Sequence, residues 1–367
     1  MAVTERRLKV LFAGGGTGGH LFPGITVARE LKRRDPMSEV TFVGAGRVLE
    51  MQVLSREGFS FERVRAVGLV GRSPFAMLKG VTTLPAAFLD AGVLLRRYKP
   101  DLVVGLGGYS SGPVVLLAAA KRVATLILEQ NAVPGVTNRL LGTVVRAAAV
   151  SYQDTLDCFG HKGFVSGNPV RTGFFESAPP RKTVTEPRIL VIGGSQGAHA
   201  INVAMIEAVS SLVNSLGVVR VTHQTGQNDF EMVESAYQSV GVDVRVEPFL
   251  NKMDAEMSDA DVVVCRAGAT TLAELAASGR PAILVPYPAA ANDHQRRNAE
   301  VFKKNGAAEV IDPNDLTATI LAERLIDLVV DNDRRLRLAA SALCLAAPEA
   351  AAQIVDRMEY LISGREN

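Results

Sequence analysis

Two stretches of this chain share one pattern, and together they limit its possible folds more than any other feature. KVLFAGGGTGGH (Lys9 to His20) and ILVIGGSQGA (Ile189 to Ala198) each run from a short apolar segment through a glycine-rich turn into a helical pattern. They lie roughly 180 residues apart in a chain of 367. A strand that enters a glycine turn at a helix N-terminus opens a parallel βαβ unit. The repeat therefore predicts two similar doubly wound α/β domains, with a ligand in the cleft between them.

The rest of the chain fits that class. Apolar or β-branched runs at Lys9–Ala13, Val40–Val43, Leu102–Gly105, Thr125–Leu128, Ile189–Ile192, Val218–Thr222, Val244–Val246, Val262–Cys265 and Ala282–Val285 read as strands buried on both faces. Helical patterns lie between them, one through Ile25, Ala28 and Leu31, another through Ile201, Ala204 and Ala208. SAPPRKTVTEPR, from Ser177 to Arg188, has linker composition. Near the end, Pro348 and Glu349 suit the first turn of a last helix. Its apolar face would be Ala351, Ile354, Val355, Met358 and Leu361.

Composition removes several function classes. Lys+Arg 40 against Asp+Glu 38 is nearly balanced, unlike a nucleic-acid binder. Cys158, Cys265 and Cys344 are too few and scattered for a disulfide framework or zinc site, which suits a reducing compartment. The best apolar run, Val114 to Ala120, stops at Lys121-Arg122, short of a membrane span. Met1 to Lys9 is polar and no signal peptide is expected, so the expected location is the cytoplasm.

The chemistry sits in the turns. Gly14 to Gly19 exposes backbone N–H groups to a phosphate or sugar, or is only a tight turn. His20 is a candidate general base, or a residue that caps the helix or only supports the side chains that touch the substrate. Gly107-Gly108-Tyr109-Ser110-Ser111-Gly112-Pro113 forms a second such loop, with Pro113 opening a helix. In Glu129-Gln130-Asn131, Asn131 can read a sugar hydroxyl, or serve the turn before Pro134-Gly135. The loop at 193–198 lacks a P-loop lysine; Ser195 and its helix N-terminus fit a diphosphate, or Ser195 is an N-cap. Thr271 and Glu274 match a capping box, while Glu274 also suits a ribose diol and Arg266 a diphosphate. The polar stretch Asp293 to Asn298 suits sugar hydroxyls, or is a solvated helix start. Asp259-Ala260-Asp261 spells D-x-D but precedes a strand, so it reads as a solvated strand entry and no metal site is expected.

GGGTGGHLFPG (14–24), GGYSSGP (107–113), EQNAVPGVTNR (129–139), SGNPVR (166–171), GGSQGA (193–198), CRAGATTLAE (265–274) and DHQRRNA (293–299), in this order, resemble one family over nearly the whole chain. It is the MurG family of peptidoglycan N-acetylglucosaminyltransferases. The resemblance implies the GT-B fold, two Rossmann-like domains facing across a cleft, and an inverting reaction without essential metal or cofactor. Residues 1–170 would take the acceptor and face the membrane, with a helix at about 348–364 packing back on them. Residues 171–347 would bind the donor, UDP-N-acetylglucosamine. The acceptor would be lipid I, whose muramic C4 hydroxyl is glycosylated to give lipid II.

By motif matching, His20 would be the base, and Thr17, Gly18 and Gly19 would meet the donor. Asn131 and Gln295 would contact its sugar. Arg171 and Ser195 would lie near the diphosphate, and Leu250 would offer its backbone to the uracil edge. Ala269, Thr270, Thr271, Leu272, Ala273 and Glu274 would wrap the diphosphate and ribose. Gly107, Gly108, Tyr109, Ser110 and Ser111 would form the acceptor loop. The implied partners are an anionic membrane surface on the cytoplasmic face and other cell-wall and division proteins, with no nucleic acid. Phe75, Met77, Leu78 and Val81, beside Arg72 and Lys79, suit insertion among anionic headgroups, or are core residues of an ordinary helix.

Three rivals remain. A UDP-N-acetylglucosamine 2-epimerase would share the donor site. An NAD-dependent oxidoreductase would place an acid after the second strand, which here ends Phe42-Val43-Gly44-Ala45. A non-catalytic sugar-nucleotide sensor would need only the binding residues.

Overall fold

The apolar run Lys9–Gly14 becomes the third of seven strands in a parallel sheet, because parallel strands need apolar cover on both faces. The computed structural model describes residues 7–65, 74–194, 197–240 and 244–364. One compact unit is built from the residues up to Val170 together with those from Ala347 onward. The other is Arg171–Ala346.

In the first unit the strands are β1 (Lys9–Gly14), β2 (Glu39–Gly44), β3 (Ser60–Arg63), β4 (Leu102–Gly107), β5 (Ala124–Glu129), β6 (Ala147–Val150) and β7 (Gly163–Val165). Their order is β3-β2-β1-β4-β5-β6-β7, all parallel. Strand order reverses between β1 and β4, the topological switch point where such sheets bind ligands.

Side chains alternate across the sheet. Val10 and Phe12 meet Leu21, Ile25 and Ala28 of the helix Gly18–Arg34 and Ile354, Val355 and Met358 of the helix Ala350–Ser363. Leu11 and Ala13 meet Ala91, Leu94, Val114, Ala118 and Leu141, from the helices Pro74–Tyr98, Ser111–Ala120 and Val136–Gly142. The last helix of the chain thus completes the core of the first unit. Arg34 fastens it further, donating to Asp356 Oδ1 at 2.5 Å and to the Ala352 carbonyl at 3.2 Å.

The second unit repeats the plan. Its strands are β8 (Arg188–Ile192), β9 (Arg220–Gln224), β10 (Val244–Glu247), β11 (Val262–Cys265), β12 (Ala282–Leu284) and β13 (Glu309–Val310), in the order β10-β9-β8-β11-β12-β13. All pairings are parallel, and the reversal falls between β8 and β11. Ile189 and Val191 pack with Ile201, Met205 and Leu212 of the helix His199–Leu216.

Two expectations are corrected. The segment Ser177 to Arg188 is no free linker but part of the second unit. Arg181 forms an ion pair with Asp261, and buried Arg335 donates to the carbonyls of Arg181 and Lys182 at 3.1 and 3.3 Å. Asp261 itself is buried rather than solvated, because it also accepts from the Arg188 N–H at 2.8 Å. Asp259 is paired with the Arg188 guanidinium.

Candidate active site

In the first unit, the turns that follow β1, β4 and β5 converge at the switch point. Gly14, Gly15 and Gly16 all have positive φ. At Gly14 (φ +129) a β-carbon would stand 2.4 Å from the Gly107 carbonyl oxygen, so only glycine lets the first loop touch the second. Thr17 caps the helix Gly18–Arg34 by position, and His20 lies in its first turn, half-buried. The imidazole Nδ1 is 3.0 Å from Gln130 Oε1, at the end of β5. Gly107 (φ +96) makes room for the ring: a β-carbon there would lie 3.1 Å from Nδ1 and Cε1. His20 is therefore not a cap but a side chain seated between two strand ends.

Two buried carboxylates, to which the sequence reading gave no role, shape these loops. Glu129 accepts from the Asn131 N–H (3.0 Å), Asn131 Nδ2 (3.2 Å), the Gly135 N–H (3.0 Å) and Asn138 Nδ2 (2.9 Å). Asn131 is thus held in place by Glu129. Under the first loop, Glu50 accepts from the Arg47 N–H at 2.8 Å. Its Oε1 occupies space that β-carbons at Gly15 or Gly44 would fill, each at 2.8 Å. Arg47 in turn donates to the Gly16 carbonyl at 2.9 Å. In the second loop the helix begins at Ser111, two residues before Pro113. The Ser111 hydroxyl closes the turn onto the Gly108 carbonyl at 2.8 Å, Ser110 is buried and Tyr109 is exposed.

In the second unit, the loops after β8 and β11 flank the other switch point. Ser195 lies outside the described residues. Around it, Gly194 and Gly197 have positive φ, and Ala198 stands at the N-cap position of the helix His199–Leu216. The helix Ala269–Ser278 starts from Gly268 with no side-chain cap, so Thr271 and Glu274 form no capping box. The N–H groups of Ala269, Thr270 and Thr271 point off the first turn, as in any helix. Leu272 instead donates to the Gly268 carbonyl and buries its side chain, and Ala273 continues the helix behind it.

Glu274 is 8% exposed and accepts from Arg171 Nη2 at 3.3 Å. Burial lifts its carboxyl to about 7, with Arg171 opposing the shift. Arg266 donates to the carbonyls of Val285 and Pro286, both at 3.1 Å, and lies over the Tyr287 ring. Leu250 gives its N–H to Gln224 Oε1 at 2.9 Å, and Gln295 accepts from the Tyr287 N–H at 2.9 Å. Asn292 and Asp293, just before Gln295, both adopt left-handed backbone, the kind of strain that collects at functional sites. Gln224 was not anticipated, although it ends β9 directly beside this loop region.

The comparisons with known proteins decide the family. Residues 10–150 match the N-terminal domain model of glycosyltransferase family 28, and residues 188–357 match its C-terminal domain model. The chain belongs to glycosyltransferase family 28. Within the family it is 45% identical, over 98% of its length and 94% of the relative's, to the UDP-N-acetylglucosamine--N-acetylmuramyl-(pentapeptide) pyrophosphoryl-undecaprenol N-acetylglucosamine transferase of Anaeromyxobacter dehalogenans. The crystal structure of Acinetobacter baumannii MurG matches with a TM-score of 0.75 and 29% identity, covering 96% of this chain and 99% of that one. A Neisseria meningitidis UDP-GlcNAc 2-epimerase matches with a TM-score of 0.68 at 14% identity, over 96% of this chain and 100% of its own. That likeness shows the fold alone. This family 28 chain is thus a glycosyltransferase with the paired Rossmann-like sheets of the GT-B class.

Proposed function

We propose that the chain transfers N-acetylglucosamine from UDP-N-acetylglucosamine to the C4 hydroxyl of the muramic sugar of lipid I, with inversion, giving lipid II. The observation that carries the proposal is His20, held at the switch point of the first sheet where three loops meet. His20 takes the proton of the attacking hydroxyl as the new bond to the anomeric carbon forms. The bond from that carbon to the phosphate breaks, and UDP leaves with the electron pair. The loop at 193–198, containing Ser195, and the first turn at Ala269 to Thr271 receive the diphosphate charge.

The remaining assignments extend the same reading. Glu274 accepts from the ribose hydroxyls beside Arg171. Leu250, its N–H already engaged, presents its carbonyl to the uracil edge. Gln295, accepting through its oxygen, offers its amide nitrogen to the sugar. Asn131 reads the sugar from the pose Glu129 gives it. Thr17, Gly18 and Gly19 meet the donor, and Gly107 to Ser111 receive the acceptor.

A peripheral position at an anionic membrane face completes the proposal. Among the described residues no helix is long and apolar enough to cross a membrane. Residues 71–73, and the side chains of Phe75, Met77, Leu78, Lys79 and Val81, lie outside the described part. The neighbouring surface supports the same reading. The adjacent helices Pro74–Tyr98, Ser111–Ala120 and Val136–Gly142 expose Leu89, Val93, Leu116 and Leu140, with Arg96, Lys99, Lys121, Arg122 and Arg139 also exposed. Aliphatic side chains ringed by cations suit anionic headgroups.

The test is His20→Ala. The variant should fold and bind UDP as the parent does, while sugar transfer to a lipid I analogue falls by ~10²–10⁴-fold. A variant with parental kcat would refute the base assignment.

A further inference from the structure

We propose that Gln130 is a positioning residue for His20, selecting the ring tautomer in which Nδ1 carries the hydrogen and Nε2 is the basic nitrogen. The inference rests on the reading of His20 as the base and says how that base is set.

The assignment comes from hydrogen-bond accounting. Gln130 is 2% exposed, and its Nε2 donates to the Leu106 carbonyl at 3.4 Å. A carbonyl only accepts, so the amide nitrogen belongs on that side and the amide oxygen faces the imidazole. That oxygen, 3.0 Å from Nδ1, also only accepts. Nδ1 must therefore bear the hydrogen, which leaves the lone pair on Nε2. Two backbone features set the place of the ring. The missing β-carbon of Gly107 leaves space for Nδ1 and Cε1, and the His20 N–H is fixed to the Thr17 carbonyl at 3.2 Å.

An amide differs from a carboxylate in this role. It accepts from Nδ1–H before and after proton transfer without adding a negative charge that would hold the ring as a cation. Two carboxylates and a guanidinium near the loop make hydrogen bonds that do not involve the imidazole. Glu129, the next residue along, is turned to Asn131, Gly135 and Asn138. Glu50 accepts from Arg47 beneath Gly15, and Arg47 donates to Gly16. Proton flow is then simple: the acceptor hydroxyl gives its proton to Nε2, Nδ1–H stays on Gln130, and the imidazolium later releases the proton to water.

The experiment uses Gln130→Met, which keeps length without an acceptor, and Gln130→Glu, each in the parent and in the His20→Ala background. Steady-state transfer, melting temperature and ring ¹⁵N shifts are measured. The chain has 5 histidines, so labelling stays readable. Gln130→Met should lower kcat by about 10–100-fold, with the donor KM and melting temperature near the parent's. It should cause no further loss once His20 is Ala. The His20 ring should change from a single Nδ1–H form in the parent to a mixture in the variant. Gln130→Glu should move the acid limb of kcat/KM up by about 1–3 pH units. A full Gln130→Met loss that persists in His20→Ala would overturn the proposal and leave the base reading intact. So would a parent ring protonated at Nε2. An active His20→Ala enzyme would instead remove the base reading, and the proposal with it.

Discussion

Donor affinity should depend on pH through Glu274 near neutrality, rather than at the acid pH where an exposed carboxylate titrates. Burial raises this carboxyl from 4.5 to about 7, even with Arg171 beside it. Two ribose hydroxyls need an ionised acceptor, so binding must draw on the ionised fraction. At a pKa near 7 that fraction is about one-tenth at pH 6 and about nine-tenths at pH 8. Affinity for UDP-N-acetylglucosamine should therefore rise about tenfold across this window, about 1.4 kcal/mol. The intact sugar nucleotide is the right ligand, because UDP alone has a terminal phosphate that titrates in the same range. Calorimetry at pH 6, 7 and 8 measures the effect, and buffers of different ionisation enthalpy should reveal about half a proton released at pH 7. Glu274→Gln should bind more weakly at pH 8 and show no slope. A flat parental profile, or the same slope in the variant, would refute the ribose assignment. The stability sign is worked the same way. Between pH 4.5 and 7 the unfolded chain ionises while the folded one holds its proton, so stability falls with rising pH by up to about 3 kcal/mol and is level above. Glu274→Gln should remove that fall.

Two other perturbations test the two faces of the first unit. Gly14→Ala forces a β-carbon onto the Gly107 carbonyl at φ +129; urea denaturation should show a loss of about 2–3 kcal/mol, and a loss below about 0.5 would contradict the loop contact. Leu89→Ser with Leu140→Ser removes side chains that are 68% and 69% exposed, so melting should hardly change while co-sedimentation with anionic vesicles falls. A folded double variant that binds vesicles like the parent would place the membrane face elsewhere.

Much of the fold was legible because buried parallel strands are written in apolar letters, and each of the nine expected runs overlaps a strand. The strands the sequence hid are short, polar or alanine-rich. Ser60–Arg63 is an edge strand with Glu62 and Arg63. Ala147–Val150 is mostly alanine, a helix former. Gly163–Val165 and Glu309–Val310 are too short for any period to register. Motif reading named the turns but not their internal wiring. Nothing local says that Glu129 holds Asn131 and Asn138, or that Gln130 reaches His20, 110 positions away. Such contacts depend on which strand ends the sheet order makes neighbours. Thr271 and Glu274 misled for a related reason. Their spacing fits a capping box, yet the helix starts at Gly268 and carries Glu274 into its buried second turn.

The most direct test of the account is the product itself. Purified protein is incubated with UDP-N-acetylglucosamine, with and without a lipid I analogue, and the products are read by mass spectrometry and by the anomeric proton coupling in NMR. The account predicts free UDP and a β1→4-linked disaccharide that appears only when the acceptor is present. An α linkage, or conversion of the donor to its 2-epimer without acceptor, would contradict it.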